Sequence, residues 1–404
     1  MRGCFIMPDH NLPTWSYTLP AALLLMAPFD ILASLAMDIY LPVVPEMPGI
    51  LGTSPAIVQL TLSLYMLMLG LGQVLFGPLS DRFGRRPVLL GGATLFALTS
   101  LLLAVTTSAP VFVALRLAQA AGASAALVAT FATVRDVYGA RPEGVTIYGL
   151  FSAMLSFVPA LGPIAGALIS GALGWQAIFL TLGVLGLTAL GQALLRWSET
   201  RPIPSGNGKP SFKPILRNGA FWTYTLGFST AMGAFFVFFS TAPRLLIDRA
   251  GYSQFGFSLA FATAAVVMIL TTRFAKGFVG RYGMSGCLMR GMAALILGGL
   301  LLAAGEVFTT PSFASFVLPM WVIAVGIVMS ASVTANGALK AFDAIAGTAV
   351  ALYFCIQSLI VAVVGTGAVL FLKGDTAWPL VGYCLVMATV TLLALALLNR
   401  RGRQ

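Results

Sequence analysis

Gly77-Pro-Leu-Ser-Asp-Arg-Phe-Gly-Arg-Arg-Pro87 is a short polar, basic segment set between two long apolar runs, 57–77 and 88–107. Crossing about 30 Å of hydrocarbon takes about 20 mostly apolar residues, and each run supplies that length. The pattern repeats outward in both directions. Candidate spans cover roughly 18–40, 57–77, 88–107, 111–134, 145–170, 175–195, 220–242, 255–272, 285–305, 313–333, 345–371 and 377–398. Only helices or closed barrels satisfy the backbone in lipid, and these runs far exceed the roughly ten-residue alternating strands of a barrel. The chain is therefore predicted to be an all-α integral membrane protein of twelve transmembrane helices.

Composition excludes the soluble alternatives. Of 404 residues, 59% are apolar and only 9% are charged, against about 25% charged in soluble proteins. The net charge of +11 is a matter of topology, not of nucleic acid. With the N-terminus inside, nineteen of the 23 Lys and Arg fall in inside loops or tails, three (Arg244, Arg249, Lys373) fall outside, and Arg116 lies within a span. That asymmetry predicts a multi-pass protein with both termini cytoplasmic. The first run is not read as a signal peptide, because it lacks a charged leader, exceeds 20 residues and contains Asp30. The one histidine, His10, lies in the N-terminal tail, which leaves no His relay or His-ligated metal. Cys4, Cys287, Cys355 and Cys384 fit neither a zinc site nor a disulfide framework and read as small buried side chains.

The Pro- and Gly-rich stretch 196–219 reads as a cytoplasmic linker. It sets an N-terminal six-helix bundle at 1–197, the linker at 198–218 and a C-terminal bundle at 219–404. Gly277-Phe-Val-Gly-Arg-Tyr-Gly283 follows the eighth span as the opening segment follows the second. Two such bundles with a site between them are an alternating-access design.

The segment 77–87 closely resembles the loop 2–3 signature of the major facilitator superfamily. Ala160-Leu-Gly-Pro-Ile-Ala-Gly-Ala-Leu-Ile169 resembles the antiporter motif of its proton-driven drug exporters, and Leu115-Arg-Leu-Ala-Gln-Ala-Ala-Gly-Ala-Ser124 its motif with an intramembrane arginine. In the last, alanine stands at 120 and 121 where the family usually has glycine, and Gly122 is the nearby substitute. Pro28–Pro42, Phe131–Tyr138, Phe235–Pro243, Ser332–Leu339 and Asp375–Pro379 look very like the chloramphenicol and florfenicol exporters. This resemblance, which covers nearly the whole chain, implies proton-driven export of neutral amphenicol drugs from a bacterial cytoplasm across the inner membrane. It carries a conformational-switch set of Gly77, Asp81, Arg82, Gly84, Arg85, Arg86, Gly162, Pro163 and Gly166. Asp81 either caps a helix start or holds the other half by an ion pair that breaks on switching; the arginines alone also suit topology anchors.

Charges inside a bilayer are expensive, on the order of 3 kcal/mol each. Asp30 lies near mid-membrane, Asp38 about 12 Å further toward the outside, and Arg116 at a depth between them. About 80° separates the two carboxylates around the helix, so both can face one cavity. Low dielectric favours the neutral acid and a nearby arginine favours the charged one; between them a carboxyl can take up and release a proton. Asp30, Arg116 and Asp38 are thus the proton-coupling candidates, with a static ion pair as the plain alternative for Asp30 and Arg116, and a solvated helix end for Asp38. They are also substrate-binding candidates, with Tyr65, Phe235, Phe239, Asn336, Tyr353 and Gln357. Asp248, Glu306 and Asp375 read as outside loops and Asp343 as an inside loop, which leaves the second half without a deep acid. There is no G-x-x-x-x-G-K-[ST] loop, so no enzymatic or ATP-driven activity is expected. The proton gradient, not a cofactor, is the expected energy source, and the chain is expected to act as a monomer.

Overall fold

Helix ends in this chain fall where its cap residues and glycines put them. In the computed structural model, residues 15, 17–138, 141–201, 212–342 and 346–401 are described; Cys4, His10, Asp343 and residues 202–211 of the proposed linker lie outside them. Among the described residues, twelve helices are long and apolar enough to cross a membrane. They are α1 (Leu19–Asp38), α2 (Pro55–Phe83), α3 (Arg85–Leu103), α4 (Ala109–Tyr138), α5 (Pro142–Leu173) and α6 (Gln176–Arg196). In the second half come α7 (Gly219–Pro243), α8 (Gln254–Thr272), α9 (Ala275–Phe308) and α10 (Leu318–Leu339). The series ends with α11 (Ala346–Ile360, carried through a π turn at Val361–Gly365 into Thr366–Phe371) and α12 (Trp378–Arg401). Ser54, Asn218 and Ser253 cap α2, α7 and α8 by accepting from the backbone N–H of Ile57, Phe221 and Gly256, which satisfies orphan donors of the first turn. Several helices overrun the predicted spans; α9 does so by running through a break at Gly283 (φ +64°), beyond which it keeps close to the predicted 285–305.

The two halves repeat one packing scheme. Helix α3 lies on α4 and α6, and α1 on α4, α5 and α6; in the second half α9 lies on α10 and α12, and α7 on α10, α11 and α12. The tight pair in each half meets through glycine. A side chain at Gly92 would strike the Gly122 carbonyl, and one at Gly122 the Gly92 carbonyl; Gly291 and Gly326 stand in the same relation between α9 and α10. Lipid offers no hydrophobic drive to bring helices together, so such close backbone approach is how they associate. Gly122 therefore does serve as the packing residue of its motif.

Between the halves, α5 lies on α8 and α2 on α11. Ala160 and Ile164 of α5 pack against Ala262 and Ala265 of α8. Five hydrogen bonds among the described residues cross this seam. Gln59 Nε2 donates to Ser240 Oγ (3.0 Å), Thr366 Oγ1 to Ser63 Oγ (2.5 Å) and Ser258 Oγ to the Pro163 carbonyl (2.9 Å). Gln254 bridges two partners, accepting from Ser170 Oγ (2.7 Å) and donating to Glu46 Oε1 (2.7 Å). All five lie toward the end of the bundle remote from the 196–219 linker, here called the far side.

Candidate transport site

Arg116 is fully buried in α4. One of its terminal nitrogens donates to the Ala36 carbonyl of α1 (3.0 Å) and to Gln119 Oε1 (2.7 Å). Gln119, one helical turn on, donates to Ser100 Oγ (2.7 Å), which fixes the amide. The guanidinium carbon sits 4.5 Å from the Tyr65 ring centre and 5.1 Å from that of Tyr40, an attraction that strengthens when the cation is desolvated. The Tyr65 hydroxyl donates to the Ala33 carbonyl (2.8 Å). Nε and the second terminal nitrogen of Arg116 have no hydrogen-bond partner. The sequence reading allowed a static pair with Asp30; neither Asp30 nor Asp38 pairs with this arginine. Backbone, amide and ring faces hold it instead, and two of its nitrogens are left free.

Asp30, 2% exposed, has one carboxyl oxygen without a partner. Asp38, the last residue of α1, is 4% exposed and accepts from Ser34 Oγ at 3.4 Å. It is not the solvated helix end that its predicted depth allowed. The cause is α5: a side chain at Gly162 would collide with Asp38 Cβ, and one at Gly166 with the Ile39 carbonyl. The glycines of the antiporter-like motif are where α5 closes over the end of α1. Pro163, between them, offers its carbonyl to Ser258 of the other half.

The second-half candidates are dispersed. Tyr353 is buried and stacks on Phe228 at 5.0 Å. Gln357 is 4% exposed, with its amide nitrogen unpartnered. Phe235 and Phe239 both lie 6.2 Å from Phe261, Phe239 fully packed and Phe235 partly open. Asn336 is exposed near the linker-side end of α10, away from this aromatic group.

The switch residues form a cluster at the α2–α3 junction. Gly84 breaks the chain there with φ +108°, a conformation that favours glycine. Arg85 Nε donates to Asp136 Oδ2 of α4 (2.7 Å), and its terminal nitrogen to Ser80 Oγ (3.2 Å) and to Asp81. Asp81 belongs to the last turn of α2, so it neither caps a helix start nor reaches the other half; it pairs with Arg85 across the break. Gly77 is inside α2 with open space around it, so it makes neither a turn nor a close contact. Arg82 is exposed, with its guanidinium 5.3 Å from the Phe83 ring centre, and Arg86 donates to the Leu194 carbonyl (3.0 Å).

Glu199 completes the cluster. It accepts from the backbone N–H of Arg85 (2.8 Å), Arg86 (3.2 Å), Thr200 (3.0 Å) and Arg201 (2.9 Å). Partial burial pushes its carboxyl up, but these four donors outweigh that and hold it below the usual glutamate range. Sequence reasoning missed Tyr40, Gln119, Asp136, Glu199, Glu46 and Gln254. Only Gln119 carried a local signal, its i+3 spacing from Arg116.

The sequence model of the Major Facilitator Superfamily matches residues 29–366. The chain is 50% identical over 382 residues to a chloramphenicol resistance protein of Pseudomonas aeruginosa, covering 94% of this chain and 91% of that one. It is 28% identical over 342 residues to the multidrug resistance protein MdtL of Escherichia coli, with 82% and 86% covered. The solved structure of a D-xylose-proton symporter superposes with TM-score 0.74 at 15% identity, over 93% of this chain and 97% of that one. With twelve helices in two matching bundles and glycines at the signature turn and the α1–α5 closure, this chain belongs to the major facilitator superfamily, a family of membrane transport proteins and not enzymes.

Proposed function

We propose that the protein is a proton-driven antiporter that exports amphenicol antibiotics, chloramphenicol and florfenicol among them, across the bacterial cytoplasmic membrane. The observation that carries this reading is the 50% identity to a chloramphenicol resistance protein over almost the whole of both chains. The linker side is the cytoplasmic side, in keeping with its basic residues. The seam on the far side then closes the path outward, and drug enters between the halves from the cytoplasm.

Amphenicols are neutral and rich in oxygen acceptors. The free Arg116 nitrogens supply donors for such oxygens without needing a charged ligand. Asp30, buried with an unpartnered oxygen, is the proton carrier, and Asp38 the second candidate. Neutral drug leaves and a proton enters, so coupling needs only that Asp30 be protonated in one access state and deprotonated in the other. Tyr65, Tyr353, Gln357 and Phe235 are proposed to shape the drug site, and the energy comes from the proton gradient with no cofactor.

The test is uptake of labelled florfenicol and chloramphenicol into inverted vesicles. An imposed proton gradient is expected to drive accumulation, and a protonophore to abolish it with ATP maintained. Accumulation that survives the protonophore would rule out proton antiport. The relative named a multidrug resistance protein favours a second reading, a broader drug range. Competition by structurally unrelated drugs in the same vesicles separates the two.

A further inference from the structure

We propose that the α8–α9 junction is a binding site for the headgroup of an anionic phospholipid, held by Arg281 and Arg290. The Arg281 guanidinium lies 5.4 Å from the centre of the Tyr282 ring, and that of Arg290 lies 3.9 Å from the same ring. Both arginines are exposed, and among the described residues neither forms an ion pair with an acid. Exposed Arg273 and Lys276 stand in the same junction. Two like charges gathered on one ring, with further bases beside them, make a site that a phosphate completes; the planar guanidinium fork suits its oxygens.

The first half shows what is missing here. Arg82 stands over Phe83 at 5.3 Å, in the same relation to Gly84 as Arg281 over Tyr282 has to Gly283. There, however, Asp81 precedes the arginine and pairs with Arg85. In the second half Gly280 takes the place of Asp81 and Met284 that of Arg85, while Arg290 stands where the first half has Gly91. The duplicated turn has lost its internal acid together with that acid's arginine partner, and its remaining arginine shares the Tyr282 ring with a cation that has no first-half counterpart.

A lipid, and not free phosphate, is the source because an apolar track leads from the charges. Arg290, Ala293, Leu297 and Leu301 recur at helical spacing on α9 and all are exposed. They form a stripe along which an acyl chain can lie while the headgroup rests on the arginines. This inference does not depend on the transported drug, and its test does not read transport.

The experiment is native mass spectrometry of the purified full chain titrated with phosphatidylglycerol or phosphatidylcholine. Wild type is expected to retain phosphatidylglycerol in preference. Arg281→Gln with Arg290→Gln is expected to lose about 25-fold in affinity, at about fivefold (about 1 kcal/mol) per arginine. Gly280→Asp restores the carboxylate that the first half possesses, at a position with open space around it. It is expected to abolish the preference with both arginines in place, so the site remains testable if the double variant does not fold. Equal retention of phosphatidylglycerol by wild type and either variant overturns the proposal. So does complete displacement of the lipid by millimolar inorganic phosphate, which would make the site a phosphate site without an acyl component.

Discussion

The two halves share a packing frame and differ in what the frame holds. In the first, α1 and α4 bury Asp30, Asp38 and Arg116. In the second, α7, which corresponds to α1, holds hydroxyls and rings: Thr230 bonds Thr391 at 2.8 Å, Tyr383 donates to the Ser229 carbonyl at 2.9 Å, and Phe238 stacks on both Phe261 and Phe316. Glycine contacts survive the divergence because backbone approach sets the fold. Ionisable groups do not, because a charge in the membrane is retained only where it has a task. On the proposed mechanism, coupling chemistry is concentrated in one half, and the other supplies shape.

The largest test of that asymmetry is Arg116→Ala. It removes hydrogen bonds of a charged group, each worth about 1.5–3 kcal/mol, so export is expected to fall by about 100-fold or more. Arg116→Lys is expected to recover part, since lysine lacks the planar fork. Export rates at matched membrane levels give the answer, and a fully active alanine variant would dissolve the distinction between the halves. Asp30→Asn is expected to leave drug binding intact and remove uphill transport. One proton per neutral drug moves a charge worth about 2.3 kcal/mol per 100 mV, a drug ratio of about 50-fold that the variant should lose. Proton release on adding drug to solubilised protein checks this: if the variant releases protons as wild type does, the carrier is elsewhere, with Asp38 the first alternative.

A smaller effect separates α5 from its counterpart α11. Gly166→Ala puts a methyl into the Ile39 carbonyl and is expected to destabilise by about 1–3 kcal/mol. Gly367→Ala meets only the Phe371 ring at 4.0 Å and is expected to be neutral or to stabilise by about 0.5–1 kcal/mol. Thermal melts of the two variants check the contrast, and equal melting temperatures would contradict it.

The smallest effect is expected at Glu199→Gln, and it depends on pH. The folded-state value of Glu199 is depressed. Its contribution is therefore complete above the ordinary glutamate value of about 4.3 and is lost as pH falls through the lower folded value. The variant is expected to melt slightly below wild type at neutral pH, with the gap closing in acid. A gap that widened in acid would reverse the assigned sign.

The fold was legible because apolar length and basic loops are local properties of a membrane chain. Arg116 and Asp30 were legible for a related reason: an intramembrane charge is conspicuous in any sequence window. Their partners were not. Asp136 lies 51 residues from Arg85, and Glu199 lies 114; no window joins them. Asp81 was misplaced because the signature looks like a loop, whereas α2 runs on to Phe83 and puts the acid inside a helix. The burial of Asp38 was not legible because depth along α1 says nothing of what covers its end, and the cover comes from Gly162 in a distant helix.

The far-side seam carries one ionisable side chain, Glu46, at its rim, and otherwise joins hydroxyls, amides and a carbonyl. A neutral hydrogen bond exchanged for one to water changes free energy by only about 0.5–1.5 kcal/mol. Four neutral bonds, together with the Gln254–Glu46 bond at about 1.5–3 kcal/mol for a charged acceptor, sum to about 3.5–9 kcal/mol, a range that spans the roughly 5.5 kcal/mol that turns a 1:99 population into 99:1. Such a closure unzips into water without stranding a charge, and ionic strength barely affects it. On the proposed function, the position of the equilibrium is then left to whatever occupies the interior, a bound drug or a proton, and not to the salt outside.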